Sequence, residues 1–222
     1  MLPAMKRFLV VGLGNFGASL AAELKTLGHP VVALDVDADK VEAMAGVLAD
    51  AVIGDGTDPE VLDKIDAGRA DAAVVSTGDD VAASLLTAVA LRDRGVAEIY
   101  VKVVSDLQAR ILGKLGVEQT VFPERESAGL LARRASNASI VDYFELAPGF
   151  SAQEMTVPDS WVGRSLRELA LPHHHNVSVI AVRDYLSGDT DPVPDPDEPL
   201  KQSDTLLLAG KAEDLERVAR VG

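Results

Sequence analysis

The fold of this 222-residue chain is decided by one stretch, Phe8-Leu9-Val10-Val11-Gly12-Leu13-Gly14-Asn15-Phe16-Gly17. Its four leading apolar residues predict a buried strand, and the G-x-G-x-x-G spacing that follows opens a predicted helix. In such a turn Gly12 permits the tight bend, Gly14 lets a pyrophosphate approach the backbone, and Gly17 lets the helix pack closely on the strand. The free amides and the positive dipole end of the helix attract phosphates. The stretch therefore predicts a strand-turn-helix unit that binds a dinucleotide.

An acidic residue stands where this fingerprint needs one. Asp35 ends the second predicted strand, 18 residues after Gly17, where a carboxylate accepts hydrogen bonds from both ribose hydroxyls. The same charge repels a 2′-phosphate, so NADP is disfavoured. Asp37 lies two residues further on, and we expect it to cap the next helix, because side chains alternate at a strand end. Asp35 is therefore the predicted ribose ligand.

Short apolar runs alternate with longer amphipathic stretches from Arg7 to about Phe122, the pattern of βαβ units around a parallel sheet. The runs are almost continuously apolar, as expected for strands covered on both faces. The predicted strands are 8–11, 31–34, 51–53, 72–76, 99–104 and 120–122, and the predicted helices begin near Phe16, Ala38, Pro59, Asp80 and Leu107. The fold class is therefore α/β, with a Rossmann-type doubly wound parallel sheet of six strands.

A second, smaller mixed α/β domain is predicted after this sheet. Residues 1–136 form the nucleotide-binding domain, whose trailing helix covers 124–136, residues 137–150 form a linker, and residues 151–222 form the second domain. Strands near 154–157, 177–182 and 205–209 and helices near 165–169 and 212–221 are expected there. The part after residue 137 is also proportionally more acidic, which supports a boundary at that point.

The charge balance excludes one class of partner. The chain carries 21 Lys and Arg against 35 Asp and Glu, a formal charge of −14, which repels nucleic-acid phosphates. No basic helix-turn-helix segment is recognisable, so neither nucleic-acid binding nor a transcriptional regulator is expected. The sequence has no cysteine, and its longest apolar helix candidate, Val81 to Leu91, is well short of the roughly 20 residues that span a bilayer. We therefore expect a cytoplasmic protein.

Two further loops and one lysine are candidate ligand contacts. Gly54-Asp55-Gly56-Thr57 follows the third predicted strand, beside the expected adenine position, and Thr77-Gly78 follows the fourth, near the point where the strand order reverses. Asp55 and Thr57 suit local turn hydrogen bonds equally well. Lys102, in the fifth strand, either occupies an exposed pleat position or reaches a phosphate. The residues alone leave these alternatives open.

The chain offers no convincing acid–base pair for catalysis. In residues 1–136 the candidates are His29, after the first helix, and Tyr100, in a strand, and neither belongs to a recognisable catalytic arrangement. His173-His174-His175 suggests a metal cluster, but adjacent side chains in an extended segment point to alternate sides, which favours a solvated loop. A NAD-dependent oxidoreductase with a small C-terminal substrate domain is the alternative to a non-catalytic regulatory protein.

Taken together, these motifs resemble a known family, the cytoplasmic regulatory subunits of Ktr and Trk potassium-uptake systems, which are built from RCK (also called KTN) domains. The resemblance covers essentially the whole chain. Beside the stretch 8–17, it is carried by LDVD at 34–37, GDGT at 54–57, VKV at 101–103, FPE at 122–124, VGRSLREL at 162–169, VIAV at 179–182 and DTLLLAG at 204–210.

The resemblance implies a nucleotide-gated assembly. The second domain would be of the RCK_C, or TrkA_C, type. Paired Rossmann domains would form a homo-oligomer, an octameric ring, that docks on a membrane potassium transporter subunit of the KtrB or TrkH type at the inner face of the cell membrane. Ligand-dependent changes of shape in the ring would then gate the transporter, because a ligand shifts a conformational equilibrium by its differential affinity for the two states.

The resemblance also implies roles for particular residues. The glycine turn, including Asn15 and Phe16, would hold the phosphates, Asp35 the ribose, and Asp55 with Thr77-Gly78 the adenosine. Lys102 and Glu124 match positions near the phosphates or near a divalent cation at the dimer interface.

The identity of the nucleotide stays open because of one departure from the family. Ktr-type members often carry Arg at the position of Asn15, where its charge reaches a terminal phosphate, whereas Asn offers a neutral hydrogen bond. ATP, ADP and NAD(H) are therefore all candidate ligands. Cyclic di-AMP, bound between paired second domains near residues 176–180, is a further candidate.

Overall fold

The predicted apolar runs form one parallel sheet in the computed structural model, which describes residues 5–78, 80–117 and 119–221. The strands are β1 (Phe8–Val11), β2 (Val31–Asp35), β3 (Asp50–Ile53), β4 (Ala72–Val75), β5 (Glu98–Lys102) and β6 (Gln119–Val121). Their order is β3-β2-β1-β4-β5-β6, and every pairing is parallel. This is the strand order of a Rossmann fold, so the predicted fold class is confirmed. The order reverses between β1 and β4, where the ligand crevice of such sheets opens at the carboxyl ends of the strands.

Five helices cover the two faces of this sheet. They are α1 (Asn15–Thr26), α2 (Ala38–Met44), α3 (Pro59–Lys64), α4 (Val81–Asp93) and α5 (Asp106–Lys114). Leu9 and Val11 of β1 share an apolar cluster with residues of α3, α4 and α5, whereas Val10 shares one with residues of α1 and α2. Because both faces are buried, the strands need no polar face, which explains their continuous apolar runs.

The second unit, Glu124–Gly222, is built around a separate antiparallel sheet of order β10-β9-β11-β8-β7. Its core includes Met155, Trp161, Leu206, Leu208 and Leu215. None of the helices in the described ranges combines the length and the apolar character needed to cross a bilayer. The elements are α6 (Pro123–Ser136), β7 (Ile140–Ala147), β8 (Phe150–Thr156), α7 (Leu166–Leu169), α8 (Leu171–His175), β9 (Ser178–Asp184), β10 (Thr190–Asp191), β11 (Asp204–Lys211) and α9 (Ala212–Val218).

The prediction that residues 137–150 form a linker is wrong. Strand β7 occupies most of that segment and pairs with β8, for example through Tyr143↔Gln153 and Phe144↔Ala152. β7 lies at the edge of its sheet and none of its residues is fully buried, so it lacks the buried apolar run that identifies strands such as β1, β2 and β4. The segment is therefore part of the second domain.

The boundary predicted after residue 136 is also displaced, because the second unit begins at Glu124 and includes nearly all of α6. Two ion pairs hold the end of this helix to its own unit: Arg133 Nη1 lies 3.5 Å from Glu216 Oε1, and Arg134 Nη2 lies 3.0 Å from Asp142 Oδ1. A helix pattern shows that a helix forms, but its amphipathic face does not reveal which sheet it contacts.

The three consecutive histidines lie in helix α8 and not in the predicted extended segment. Pro172 stands in the first turn, where its missing N–H is harmless, and Asn176, with φ of 56°, ends the helix. His175 faces Trp161 with ring centroids 6.1 Å apart. In the described residues no group of three His, Asp or Glu side chains is arranged to hold a metal ion.

Candidate nucleotide-binding site

The glycine turn between β1 and α1 contains two glycines that the fold requires. Gly12 has φ of +94°, and a Cβ built on it would lie 2.1 Å from the carbonyl oxygen of Ser76. A Cβ on Gly17 would lie 1.9 Å from the carbonyl oxygen of Gly12. Gly14 differs, because a Cβ there would meet no atom within 4 Å. The protein itself does not need the small size of Gly14, so its surface is open to a ligand, as the sequence predicts.

The start of α1 lacks the cap that the other helices of this sheet possess. Helices α2, α3, α4 and α5 begin with Asp37, Asp58, Asp80 and Ser105, each of which accepts a hydrogen bond from an amide of the first turn. Helix α1 begins at Gly14, with no side-chain cap and no acidic residue in its first turn. Its amides and its positive dipole end are therefore available to an anion.

Asp35 lies beside this turn and is almost fully buried, with 7% of its surface exposed. Its Oδ2 accepts a hydrogen bond from the Leu13 amide at 2.6 Å, and its Oδ1 accepts one from the Asp37 amide at 2.9 Å. A carboxylate has about four acceptor positions, so each oxygen retains capacity for a ribose hydroxyl. Asp37 caps α2, which confirms that prediction.

In the loop after β3, Asp55 and Thr57 form the local turn hydrogen bonds that were one of the two roles predicted for them. Asp55 Oδ1 accepts hydrogen bonds from the Thr57 amide at 2.8 Å and from its hydroxyl at 2.7 Å. These bonds, that from the amide above all, lower the pKa of the Asp55 carboxyl. The Gly54 amide donates to the Asp35 carbonyl at 2.9 Å, so the loop begins beside the ribose candidate. Contact of Asp55 or Thr57 with adenosine stays a prediction.

The loop after β4 contributes a residue that the sequence analysis missed. Ser76 is buried, and its amide donates to the Val11 carbonyl at 2.7 Å, which ties β4 to β1 directly below the glycine turn. Its sole sequence signal is its small size at the end of an apolar strand. In the same loop the Thr77 hydroxyl donates to the Asp80 carbonyl at 3.3 Å, and Gly78 has φ of +68°, so this loop also has a defined conformation.

Two charged candidates remain predictions. Lys102 is the last residue of β5 and is half-buried at the carboxyl edge of the sheet, the edge at which the glycine turn lies. Glu124 lies in the second unit, in the first turn of α6. No cluster of three metal-ligating side chains includes Glu124 in the described residues, so a cation there would need ligands from a nucleotide or from another subunit.

The two acid–base candidates do not join this site. His29 precedes β2 and therefore lies at the opposite, amino edge of the sheet, where it accepts a hydrogen bond from the Lys6 amide at 3.3 Å. Tyr100 lies in the middle of β5, and its hydroxyl donates to Glu98 at 3.3 Å. The His29 ring packs against Phe8 at the amino end of β1, with ring centroids 5.1 Å apart, and neither side chain hydrogen-bonds to the glycine turn.

The fold and this site define a class of protein, a nucleotide-binding Rossmann domain joined to a small antiparallel α/β domain. Family models match both parts, the TrkA-N domain at residues 8–123 and the TrkA-C domain at residues 152–221. The chain therefore belongs to the TrkA family of TrkA-N and TrkA-C proteins, as the resemblance of its motifs predicted.

Characterised relatives agree with this assignment. The chain is 32% identical over 212 residues to the Ktr system potassium uptake protein C of Bacillus subtilis. This alignment covers 96% of this chain and 95% of that protein. It is 27% identical over 217 residues to the Ktr system potassium uptake protein A of the same organism, covering 98% and 97% of the two chains.

Solved structures show the same fold. The GsuK RCK domain superposes with a TM-score of 0.54 at 20% identity and covers 97% of this chain. The GsuK channel bound to NAD superposes with a TM-score of 0.53 at 20% identity and covers 96% of this chain. The chain spans 46% and 38%, respectively, of the two GsuK chains, so these structures support the architecture of the shared part.

Proposed function

We propose that this chain is the nucleotide-binding regulatory subunit of a membrane potassium transporter. The observation that carries the proposal is the uncapped N-terminus of α1, open at Gly14 and next to the buried carboxylate of Asp35, in a chain of the TrkA family. Membership of that family favours regulation over the alternative, a NAD-dependent oxidoreductase. The chain itself would then bind its ligand without converting it.

In this proposal an adenine nucleotide occupies the crevice at the carboxyl ends of β1 and β4. The amides of residues 14–17 bind the phosphates, Asp35 accepts from the ribose hydroxyls, and Thr77-Gly78 and Asp55 lie along the adenosine. Lys102 is a candidate contact for a terminal phosphate. Asn15 is exposed and neutral, so the phosphate end of the site is compatible with NAD(H), ADP or ATP. NAD is one ligand to test first, because GsuK, which has the same fold, has been solved with it.

The regulatory assembly is proposed to be a homo-oligomer that docks on the cytoplasmic side of the transporter. Leu86 on α4 and Leu107 and Ile111 on α5 are large apolar side chains with 59%, 59% and 37% of their surface exposed. Exposed apolar surface of this kind supports contact between subunits. A divalent cation at Glu124 and cyclic di-AMP near residues 176–180 are the further ligands of this proposal.

Calorimetric titration of nucleotide-free protein tests the proposal. ATP, ADP, NAD, NADH and cyclic di-AMP are added separately, with and without Mg²⁺ or Ca²⁺, to the wild type and to Asp35→Asn. We expect micromolar or tighter binding of at least one adenine nucleotide, weakened about tenfold or more by Asp35→Asn, because a charged acceptor contributes about 1.5–3 kcal/mol per hydrogen bond. Asp39→Asn, an exposed change in the first turn of α2, is the matched control.

Two results would overturn the proposal. One is the absence of binding of every nucleotide tested, and the other is turnover of NADH with simple carbonyl substrates, which would revive the oxidoreductase. Light scattering of the nucleotide-bound protein tests the assembly separately, and the expected molar mass is that of an octamer. A monomer that binds nucleotide would contradict the assembly while leaving the nucleotide site intact.

A further inference from the structure

We propose that Lys40 is a specificity-determining residue of the nucleotide site, and that its ammonium group sets how strongly the site rejects a phosphate on the ribose 2′-oxygen. The inference rests on the proposed function and extends it to a residue that the sequence analysis did not consider. From the sequence, the Asp35 carboxylate alone predicts simple rejection of 2′-phosphates. The structure adds a cation to that carboxylate.

Lys40 lies in the first full turn of α2, and its Nζ is 3.9 Å from Oδ1 of Asp35 and 3.6 Å from Oδ2 of Asp37. The Lys40 side chain is 46% exposed, whereas that of Asp35 is 7% exposed, so a partly solvated cation stands beside a buried carboxylate. Asp35 is fixed in turn by the amides of Leu13 and Asp37. The cation therefore stands at the ribose end of the proposed site, beside the atoms that would accept the ribose hydroxyls.

The charge that a 2′-phosphate meets depends on Lys40. Two carboxylates and one ammonium group give this trio a net charge of −1, and removal of the ammonium group makes it −2. The interaction of two unit charges about 4 Å apart in water changes an equilibrium about fivefold, and a dianionic phosphate raises this limit to about thirtyfold. A ligand with free ribose hydroxyls has no charge at this point and should respond much less.

A purely structural role makes a different prediction. Lys40 and Asp37 form an i,i+3 pair on an exposed helix surface, and such pairs contribute little to stability. If Lys40 served α2 alone, its loss would affect the binding of all adenine nucleotides equally, or not at all. The ratio of affinities for ligands with and without a 2′-phosphate therefore separates the two roles.

The test compares Lys40→Gln with the wild type in calorimetric titrations of the full chain. NADH and NADPH form one ligand pair, and AMP and adenosine 2′,5′-bisphosphate form a second pair that does not depend on the nicotinamide half. We expect Lys40→Gln to weaken the binding of the 2′-phosphorylated ligand of each pair about five- to thirtyfold more than the binding of the other ligand. This difference should shrink at high salt, and Lys40→Arg should restore the wild-type ratio. Lys25→Gln, in the last turn of α1, is the control for loss of one exposed positive charge.

An unchanged ratio in Lys40→Gln would overturn the inference, as would wild-type protein that binds NADH or AMP but neither 2′-phosphorylated ligand at millimolar concentration. In both cases the proposed nucleotide function stands. Wild-type protein that binds none of the adenine nucleotides, ATP and ADP included, would instead overturn the proposed function and this inference with it.

Discussion

Gly14→Ala should separate ligand binding from folding. Gly14 has φ of −65° and ψ of −176°, a conformation that alanine adopts freely, and the added methyl group would meet no atom within 4 Å. Loss of glycine's freedom in the unfolded chain stabilises a protein by about 0.4–1 kcal/mol at such a position. Alanine is a poorer N-cap than glycine by a similar amount. We therefore expect the free energy of unfolding to change by less than about 1 kcal/mol.

The same methyl group should weaken nucleotide binding, because it occupies the surface across which a pyrophosphate would approach the α1 amides. A hydrogen bond to a charged group contributes about 1.5–3 kcal/mol, so loss of one such bond raises the Kd about tenfold to hundredfold. Calorimetry gives the Kd, and urea unfolding followed by circular dichroism gives the stability. Gly113→Ala in α5 is the matched control, because its methyl group also meets open space.

Two outcomes would refute this reasoning. Wild-type nucleotide affinity in a folded Gly14→Ala protein would show that the phosphates do not lie on the start of α1. A loss of stability above about 2 kcal/mol would show that the backbone at Gly14 is constrained by contacts other than those described. Gly113→Ala should leave the Kd unchanged in either case.

Two further predictions concern stability. Gly17→Ala should destabilise the protein by at least 1–3 kcal/mol or prevent folding, because its Cβ would collide with the Gly12 carbonyl oxygen, and urea unfolding measures this loss. Burial first, and then the charges of His174 and Arg217, lower the pKa of His175 from 6.5, so the native state disfavours its protonation. The associated stability is complete above pH 6.5 and is lost as the pH falls through the lowered pKa. The fluorescence of Trp161, the chain's single tryptophan, should therefore report easier urea unfolding at pH 5.5 than at pH 7.5, and His175→Gln should reduce that difference.

The Rossmann domain is predictable from the sequence because its constraints are local. Gly17 is needed for its close backbone approach to Gly12 within one turn, Gly12 adopts the positive φ of that turn, and Asp35 follows at a spacing set by one helix and one strand. Burial on both faces also leaves a continuous apolar run for the central strands β1, β2 and β4. These signals involve residues near one another in the chain, so the pattern and the structure agree.

The second unit was less predictable because its signals are weak or non-local. Strand β7 is a partly exposed edge strand with no fully buried residue, and within the described residues its one pairing is with the next strand, β8, as in Tyr143↔Gln153. Helix α6 belongs to this unit through pairs such as Arg133 with Glu216, which lie far apart in the sequence. In the site itself, Ser76 and Lys40 belong to no recognisable sequence motif, and only the folded chain places them beside Gly12 and Asp35. A contact made by the fold leaves no pattern of its own in the sequence.

The arrangement of Asp35 bears on how a nucleotide could act as a signal. Asp35 binds the amide of Leu13 in the glycine turn and the amide of Asp37 at the start of α2, so it joins the phosphate end of the proposed site to the ribose end. Every adenine nucleotide without a 2′-phosphate would offer it the same ribose hydroxyls. A contact that is equal in all ligands cannot make their effects on a conformational equilibrium differ, however much affinity it contributes. If ATP, ADP and NAD(H) have different effects on this protein, the difference must therefore arise beyond the ribose, where the number and position of phosphates on the uncapped start of α1 distinguish the ligands.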